Sequence, residues 1–380
     1  MKIYVGSNSK DGEISFGSIK EAKEYIKTCD TSEKIEVIIT EGRYFFDETL
    51  RFTAEDKPAV YKAEKGAKVY FDGGIVLDNI KIKKVTDKKI TDRLIEEGAR
   101  ENLYEADLSE WKENLGEYGI RGFRRPYIPA PTELFINAKP QRVASYPKSG
   151  YIPLGNIVDE GSKPYTEDFT RRGGIFGYNN ARIEKWENAD DAYVSGFFSN
   201  CYADDTIKIK KIDINDKTIH LEQATLGGLV LDPEHRWKIV NLLEEIGEGG
   251  EYFVDSKNAK LYFYPDCDIT DALVQLSILK TPFLSFSDAK DITFEGMTFE
   301  NARGTGVYIE KGEGITIKDC EFRNLGIVAV QIGKGISALP EGLTTCHGVY
   351  DHEKFRPVPV SEEIGSWHEY IYEYAAFDGE

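Results

Sequence analysis

The stretch Ile292-Thr-Phe-Glu-Gly-Met-Thr-Phe-Glu-Asn-Ala-Arg-Gly-Thr-Gly-Val-Tyr-Ile-Glu-Lys-Gly312 is repeated as Ile315-Thr-Ile-Lys-Asp-Cys-Glu-Phe-Arg-Asn-Leu-Gly-Ile-Val-Ala-Val-Gln-Ile-Gly-Lys-Gly335. The offset is 23 residues, and eight of the 21 positions are identical in register. One more step back from Ile292, Met297, Phe299, Val307 and Ile309 lands on Ile269, Val274, Leu276, Leu284 and Phe286, all apolar. A fixed period in the low twenties built from short β-branched and aromatic runs is the signature of a solenoid. Inward side chains then stack on the same position one repeat away. The expected columns are Phe286–Ile309–Ile332 and Leu276–Phe299–Phe322, with Asn301 and Asn324 stacked at a corner. A leucine-rich repeat shares the period but needs an L-x-x-L-x-L spacing that is absent. The pattern therefore predicts an all-β chain built on a right-handed parallel β-helix.

Composition agrees with a β-rich fold: 22 Tyr, 20 Phe and 35 Gly stand against two Met. Ser18-Ile-Lys-Glu21 has the capping-box spacing, and Ile19, Ala22 and Ile26 share one helical face. That predicts a single amphipathic helix ending near Thr28 in the first 100 residues. Short runs at 35–39, 44–46, 50–52, 60–63, 69–71 and 80–85 read as strands punctuated by glycine. Further strands are expected at 182–186, 193–198, 206–213, 217–221, 237–240 and 260–264, without a fixed period. The organisation expected is a cap helix and first coils over 1–110, a β-rich inserted module over 111–268, coils of 23-residue period over 269–335, and an aromatic, His-rich loop leaving the β-helix over 336–380.

Charge narrows the function classes. Among 380 residues, 48 Lys and Arg face 66 Asp and Glu, a net −18. So acidic a chain repels phosphate backbones and anionic lipid, so neither nucleic acid nor membrane is an expected partner. The start Met-Lys-Ile-Tyr-Val-Gly-Ser has no apolar signal core, so the expected location is the cytoplasm. Five cysteines at wide spacing, without C-x-x-C, read as reduced thiols. Neither a phosphate-binding glycine loop nor G-x-S-x-G is present, and no cofactor is expected.

Several segments together resemble one known group. They are Ile3-Tyr-Val-Gly6, Phe16-Gly-Ser-Ile-Lys-Glu-Ala22 and Glu41-Gly-Arg-Tyr-Phe-Phe-Asp-Glu-Thr-Leu50; Glu133-Leu-Phe-Ile-Asn-Ala-Lys-Pro140 and Arg142-Val-Ala-Ser-Tyr-Pro147; Leu242-Leu-Glu-Glu-Ile246, Gly250-Glu-Tyr-Phe-Val-Asp255 and Leu261-Tyr-Phe-Tyr-Pro265; and the repeat itself. As a set they resemble bacterial parallel β-helix carbohydrate-active proteins, a glycoside hydrolase group that includes α-L-fucosidases, xylanases and β-xylosidases. The resemblance implies the β-helix, a helix capping its N-terminal end and a β-rich insertion. Members of that group continue through further coils, where their catalytic acids lie. The resemblance thus casts this chain as an N-terminal part and transfers no catalytic residue to it.

Glycoside hydrolysis needs two carboxyl groups flanking the scissile bond. On the repeats, Glu300, Asp319 and Glu321 alternate with inward apolar positions and are expected on the outer, solvated face. Asp319, Glu321, Asp351 and Glu369 are the catalytic candidates. The tail adds an aromatic plate beside titratable groups in Gly365-Ser-Trp-His-Glu-Tyr370, so Trp367, His368, Tyr370 and His352 are candidates for holding a sugar. Arg236 and the basic island Arg121–Arg125 offer either acidic-sugar contacts or plain ion pairs. Neither an H-x-x-x-H nor a stacked D-x-D pattern supports a metal. The expected function is a glycoside hydrolase, or its N-terminal part, acting on a carbohydrate substrate. The rivals are a non-catalytic carbohydrate-binding or assembly subunit and a polysaccharide lyase. The sticky end Tyr370-Ile-Tyr-Glu-Tyr-Ala-Ala-Phe377 predicts a second polypeptide or self-association.

Overall fold

The computed structural model describes residues 1–6, 12–78, 81–116, 118–123, 125, 128–166, 168–187, 189–333, 344–345, 348–351 and 356–359. They are mostly strand, with few helices, and divide into two compact units. One comprises Met1–Ile75 and residues 275–333, and the other comprises Val76–Val274 and the strand residues between 344 and 359.

The first unit is built from three parallel sheets. The first runs Ser15–Phe16, Lys2–Val5, Ile35–Ile39, Ala59–Ala63, Ile292–Glu295, Thr316–Lys318. The second runs Gly42–Phe45, Val69–Asp72, Met297–Ala302, Glu321–Leu325. The third runs Leu50–Thr53, Leu284–Ser287, Val307–Glu310, Val330–Gly333. The chain visits the sheets in turn, so each neighbour in a sheet comes from a different repeat. The 23-residue offset fixes the register: Phe299 pairs with Phe322 and Ile309 with Ile332. The corners repeat with the same period. Left-handed φ values occur at Asp288 and Lys311, at Asp291 and Gly314, at Gly296 and Asp319, and at Asn301 and Asn324. Asn tolerates this conformation better than most residues, and Asn324 Nδ2 donates to Asn301 Oδ1 at 3.1 Å.

Inside, aromatic rings stack from repeat to repeat. Tyr61 lies on Phe294 at 4.8 Å, Phe52 on Phe286 at 5.1 Å and Phe299 on Phe322 at 4.7 Å. Each buried ring contributes roughly 1.5–3 kcal/mol of transfer free energy. The column Phe52–Phe286–Ile309–Ile332 is in register, although Ile332 in the last described strand of its sheet is 67% exposed. The other expected column needs correction: Phe71, not Leu276, lies beside Phe299. The repeat that precedes Ile292 and Met297 is supplied by Ala59–Ala63 and Val69–Asp72, because the chain leaves this unit after Ile75 and returns at Gln275. The apolar spacing of Ile269, Val274 and Leu276 mimics the repeat without belonging to it.

The helix Ile19–Thr28 forms as its sequence predicts. Ser18 Oγ accepts from the Glu21 N–H at 3.2 Å, and Glu21 Oε2 accepts from the Ser18 N–H at 3.0 Å. Ile19, Ala22 and Ile26 are buried. Lys23 is buried too, its charge met by Asp56 at 2.6 Å.

The second unit is chiefly antiparallel. One sheet orders Arg142–Val143, Glu251–Asp255, Lys260–Tyr264, Tyr104–Asp107 and Ile82–Lys84. A larger one runs from Ser145–Tyr146 through Arg236–Val240, Tyr193–Phe197, Asp204–Asp213, Thr218–Leu221 and Ile175–Gly177 to Ile157–Asp159. Its core holds Trp186, Trp237, Phe176, Val194, Ile207 and Ile239. The strand expected at 182–186 is a 3-10 helix, Ala181–Trp186, because the Asn180 side chain caps the Arg182 N–H at 3.0 Å. Thr344–Thr345, Gly348–Asp351 and Arg356–Pro359 form a short antiparallel sheet.

A charged ladder joins the repeats of the first unit. Glu300, expected in solvent, is fully buried and takes Arg43 Nη1 and Arg323 Nε, the latter at 2.6 Å. Its register partner Asp72 is also fully buried. Asp72 Oδ1 accepts from the Gly74 N–H at 2.9 Å and Asn301 Nδ2 at 3.1 Å; Oδ2 accepts from Arg43 Nη1 and Gln275 Nε2. At the same seam the carbonyl of Gly73 accepts from the N–H groups of Ile278 and Leu279. A Cβ on Gly73 would lie 2.8 Å from Leu279 Cβ.

Two stability predictions follow from these contacts, both read by denaturant titration. Ile309→Asp puts an unpaired carboxylate among apolar neighbours and is expected to cost ~3–5 kcal/mol, whereas Glu310→Ala next to it costs ~0.5 kcal/mol or less. Equal losses would mean the inward register is wrong. Asp72→Ala removes the acceptor shared by Arg43, Gln275 and Asn301 and is expected to cost ~3–5 kcal/mol, with Gly73→Ala costing ~1–3 kcal/mol by overpacking. An Asp72→Ala variant as stable as the native chain would remove the ladder's structural role.

Candidate active site

The apolar pentapeptide Leu242-Leu-Glu-Glu-Ile246 carries two buried acids on the 3-10 turn Leu243–Glu245. Their environments differ. Glu245 is fully satisfied: Arg182 Nε and Nη2 donate to its two oxygens at 2.8 Å each, and Trp186 Nε1 donates at 2.8 Å. Glu244 is half satisfied. Arg93 Nε and Nη2 both donate to Oε1, at 2.9 and 2.7 Å, and buried Oε2 has no hydrogen-bond partner.

Burial pushes the Glu244 carboxyl above the usual glutamate range, Arg93 pulls it back, and the nearby charge of Asp190 pushes it further up. Asp190 is exposed. It lines, with Arg93, a cleft of about 570 Å³ whose walls also carry Lys112, Asp191, Lys208 and Asp255. Two of these acids are committed elsewhere: Asp191 pairs with Lys208 at 3.2 Å, and Asp255 accepts from the Asn258 N–H at 2.9 Å and Nδ2 at 2.8 Å. A buried acid with a raised pKa behind a cleft that carries a second, exposed carboxylate is an arrangement found at acid–base sites.

The residues singled out in the sequence fall elsewhere. Asp319 is an exposed corner residue at φ 52°, 3.6 Å from Lys318. Glu321 is exposed and pairs with Arg323 at 3.3 Å. Arg236 is exposed on its strand, its guanidinium over the rings of Tyr151 and Phe197. Arg125 is a buried ion pair, donating to both oxygens of Asp205 at 2.8 and 2.6 Å. Asp351 ends the strand Gly348–Asp351, opposite Arg356. His352, Trp367, His368, Glu369 and Tyr370 lie outside the described residues, as does most of the tail expected to associate. Among the described residues no three His, Cys, Asp or Glu side chains are grouped to hold a metal ion, and no helix is long and apolar enough to cross a membrane. Sequence reasoning missed Glu244; two acids inside an otherwise apolar run were the available signal, since acids there must be buried and need partners.

Neither a family model nor a curated protein matches the sequence. Solved structures do match in fold. One described as a glycoside hydrolase aligns over 87% of this chain at a TM-score of 0.62 and 14% identity; the chain spans 63% of that structure's length. A complex of XylC with xylose aligns over 88% of this chain and 42% of its own, at 13% identity and a TM-score of 0.36. The Gp54 tailspike of Acinetobacter baumannii bacteriophage AP22, in complex with a capsular saccharide, aligns over 78% of this chain and 32% of its own at 10% identity, with a TM-score of 0.17. The first likeness is one of fold: a mostly β chain with parallel sheets.

Proposed function

We propose that the chain is a carbohydrate-active protein, a glycoside hydrolase whose three parallel sheets form the walls of a right-handed β-helix interrupted by the Val76–Val274 unit. The fold likeness to a structure described as a glycoside hydrolase supports the class. The observation that carries the chemistry is the half-satisfied, buried Glu244 carboxyl with its raised pKa, held by Arg93, which lines the cleft together with Asp190. Glu244 is the proton donor to the glycosidic oxygen, a role that requires its buried Oε2, which does not line the cleft, to be uncovered when sugar binds. Asp190 serves as the second carboxylate. Arg93 fixes Oε1 and keeps Glu244 in one orientation. Lys112 and Lys257 supply donors to the sugar hydroxyls.

Reducing-sugar release from a panel of plant and microbial oligosaccharides tests this. Glu244→Gln, which keeps shape and loses the proton, is expected to lower turnover by at least about 10²-fold, and Asp190→Asn similarly. Native turnover should fall on the alkaline side as Glu244 loses its proton. An unsaturated, ultraviolet-absorbing product would make the protein a lyase. Sugar binding without any release would make it a binding subunit.

Stability gives a second readout. The folded pKa of Glu244 lies above its unfolded value, so the folded state holds the proton more tightly in the window between them. Native stability should therefore fall as pH rises from the usual glutamate value through the raised one, and level off above it. The difference in melting temperature between native and Glu244→Gln protein should trace that fall. A difference independent of pH would rule out a raised Glu244.

A further inference from the structure

Arg236 sits in the middle of a sheet, its backbone paired with Phe197 on one side and Pro153 on the other. Its guanidinium lies 5.5 Å from the ring centre of Tyr151 and 5.4 Å from that of Phe197. The two rings meet edge to face at 5.9 Å. Tyr151 is 41% exposed. Among the described residues no carboxylate is within ion-pairing distance of Arg236. The two acids beside it in sequence are engaged otherwise: Asp232 Oδ1 accepts from the Glu234 N–H at 2.8 Å, and Glu234 Oε2 takes the Cys201 thiol at 2.9 Å.

Arg236 thus carries an un-neutralised cation in a chain of net −18. Arg43, Arg93, Arg125, Arg142, Arg172, Arg182 and Arg323 all pair with acids. Aromatic faces hold a guanidinium in position without neutralising it, and they leave its N–H fork in plane for a second partner. The fork matches a carboxylate with two parallel hydrogen bonds. A half-exposed tyrosine beside it offers an apolar ring for the C–H face of a sugar. Both strands that carry the group, Tyr193–Phe197 and Arg236–Val240, lead at their other ends toward Asp190, Asp191 and Glu244. At about 3.3 Å per residue, the four strand steps from Phe197 to Tyr193 span about 13 Å, the length of a few sugar units.

We propose that Arg236, Tyr151 and Phe197 form a remote subsite for a carboxylate-bearing sugar, so that the substrate is an acidic oligosaccharide containing uronic acid. This rests on the carbohydrate reading above. Arg236 fastens the uronate carboxylate, Tyr151 stacks on the sugar ring, and Phe197 adds a second ring against the guanidinium.

Calorimetric titration of the full chain with hexagalacturonate and with neutral xylohexaose tests the assignment. The acidic hexamer is expected to bind, more weakly at high salt, and the neutral one at least about tenfold more weakly. Arg236→Gln and Tyr151→Ala should each weaken the acidic hexamer about tenfold or more. Arg236→Lys should restore only part of the loss, because an ammonium lacks the planar fork. Both substituted positions are on the surface, so unchanged melting temperatures are expected and would exclude unfolding as the cause. Native affinity for hexagalacturonate in Arg236→Gln, or equal native affinity for the two hexamers, overturns the subsite. If the native chain still releases reducing sugar in either case, the proposed function stands without it. If neither hexamer binds and no oligosaccharide in the panel is cleaved, both fall together.

Discussion

The carboxylate of Asp72 carries the constraint on which the first unit depends. It stands three residues before the chain leaves that unit and is bound by Gln275, the first residue to return. A unit of parallel sheets interrupted between Ile75 and Gln275 must pair residues far apart in sequence, and loop-closure entropy opposes this. Backbone pairing supplies direction, but the interrupted turn needs a specific latch. Asp72 provides it by collecting donors from Gly74, Gln275, Asn301 and Arg43 around one buried group. Arg43 then shares its guanidinium with Glu300, and Glu300 with Arg323. The ladder thus passes from strand to strand on the opposite face of the sheet from Phe71, Phe299 and Phe322. Apolar stacking sets how tightly the repeats approach, and the charged ladder sets which residues meet.

Buried carboxylates in this chain fall into two kinds. Asp72, Glu300 and Glu245 each have donors on both sides, and a fully satisfied buried acid rigidifies its surroundings. Glu244 has one oxygen gripped by Arg93 and the other bare. The difference is decisive because an unpaired buried polar atom has a desolvation cost with nothing offsetting it. Adjacent glutamates on one 3-10 turn point to opposite uses: Glu245 locks Arg182 and Trp186 in place, and that lock holds the turn presenting Glu244.

How much of this was legible in the sequence follows from the range of each interaction. The 23-residue period was visible because it is local: apolar positions and Asn301/Asn324 recur within one stretch, and the corners repeat their left-handed residues with it. The capping box at Ser18 was visible for the same reason. The interruption was hidden. The repeat before Met297 lies more than 200 residues upstream, while an apolar run at 269–276 occupied the expected spacing by coincidence. Strand alternation put Glu300 in solvent, and the structure buries it, because alternation could not say that Arg43 and Arg323 meet it there. Glu244 and Arg93 are 151 residues apart, and no local pattern links them.

Electrostatics ties the two proposed subsites together. An acidic chain of net −18 lowers the local concentration of any anion, so an anionic ligand needs a cation that the protein's own acids have not neutralised. In the second unit Arg93, Arg125, Arg172 and Arg182 are all consumed by internal carboxylates. Arg236 escapes because its immediate surroundings are rings, not acids, and because Asp232 and Glu234 are engaged with the turn and with Cys201. Near Glu244 the logic is inverted: the charge of Asp190 favours a protonated neighbour and disfavours an anion. A substrate lying along the paired strands would therefore be held by its negative charge at one end and react at an uncharged glycosidic oxygen at the other. Separating the attractive group from the reacting groups keeps the binding charge from shifting the proton balance on which the acid depends.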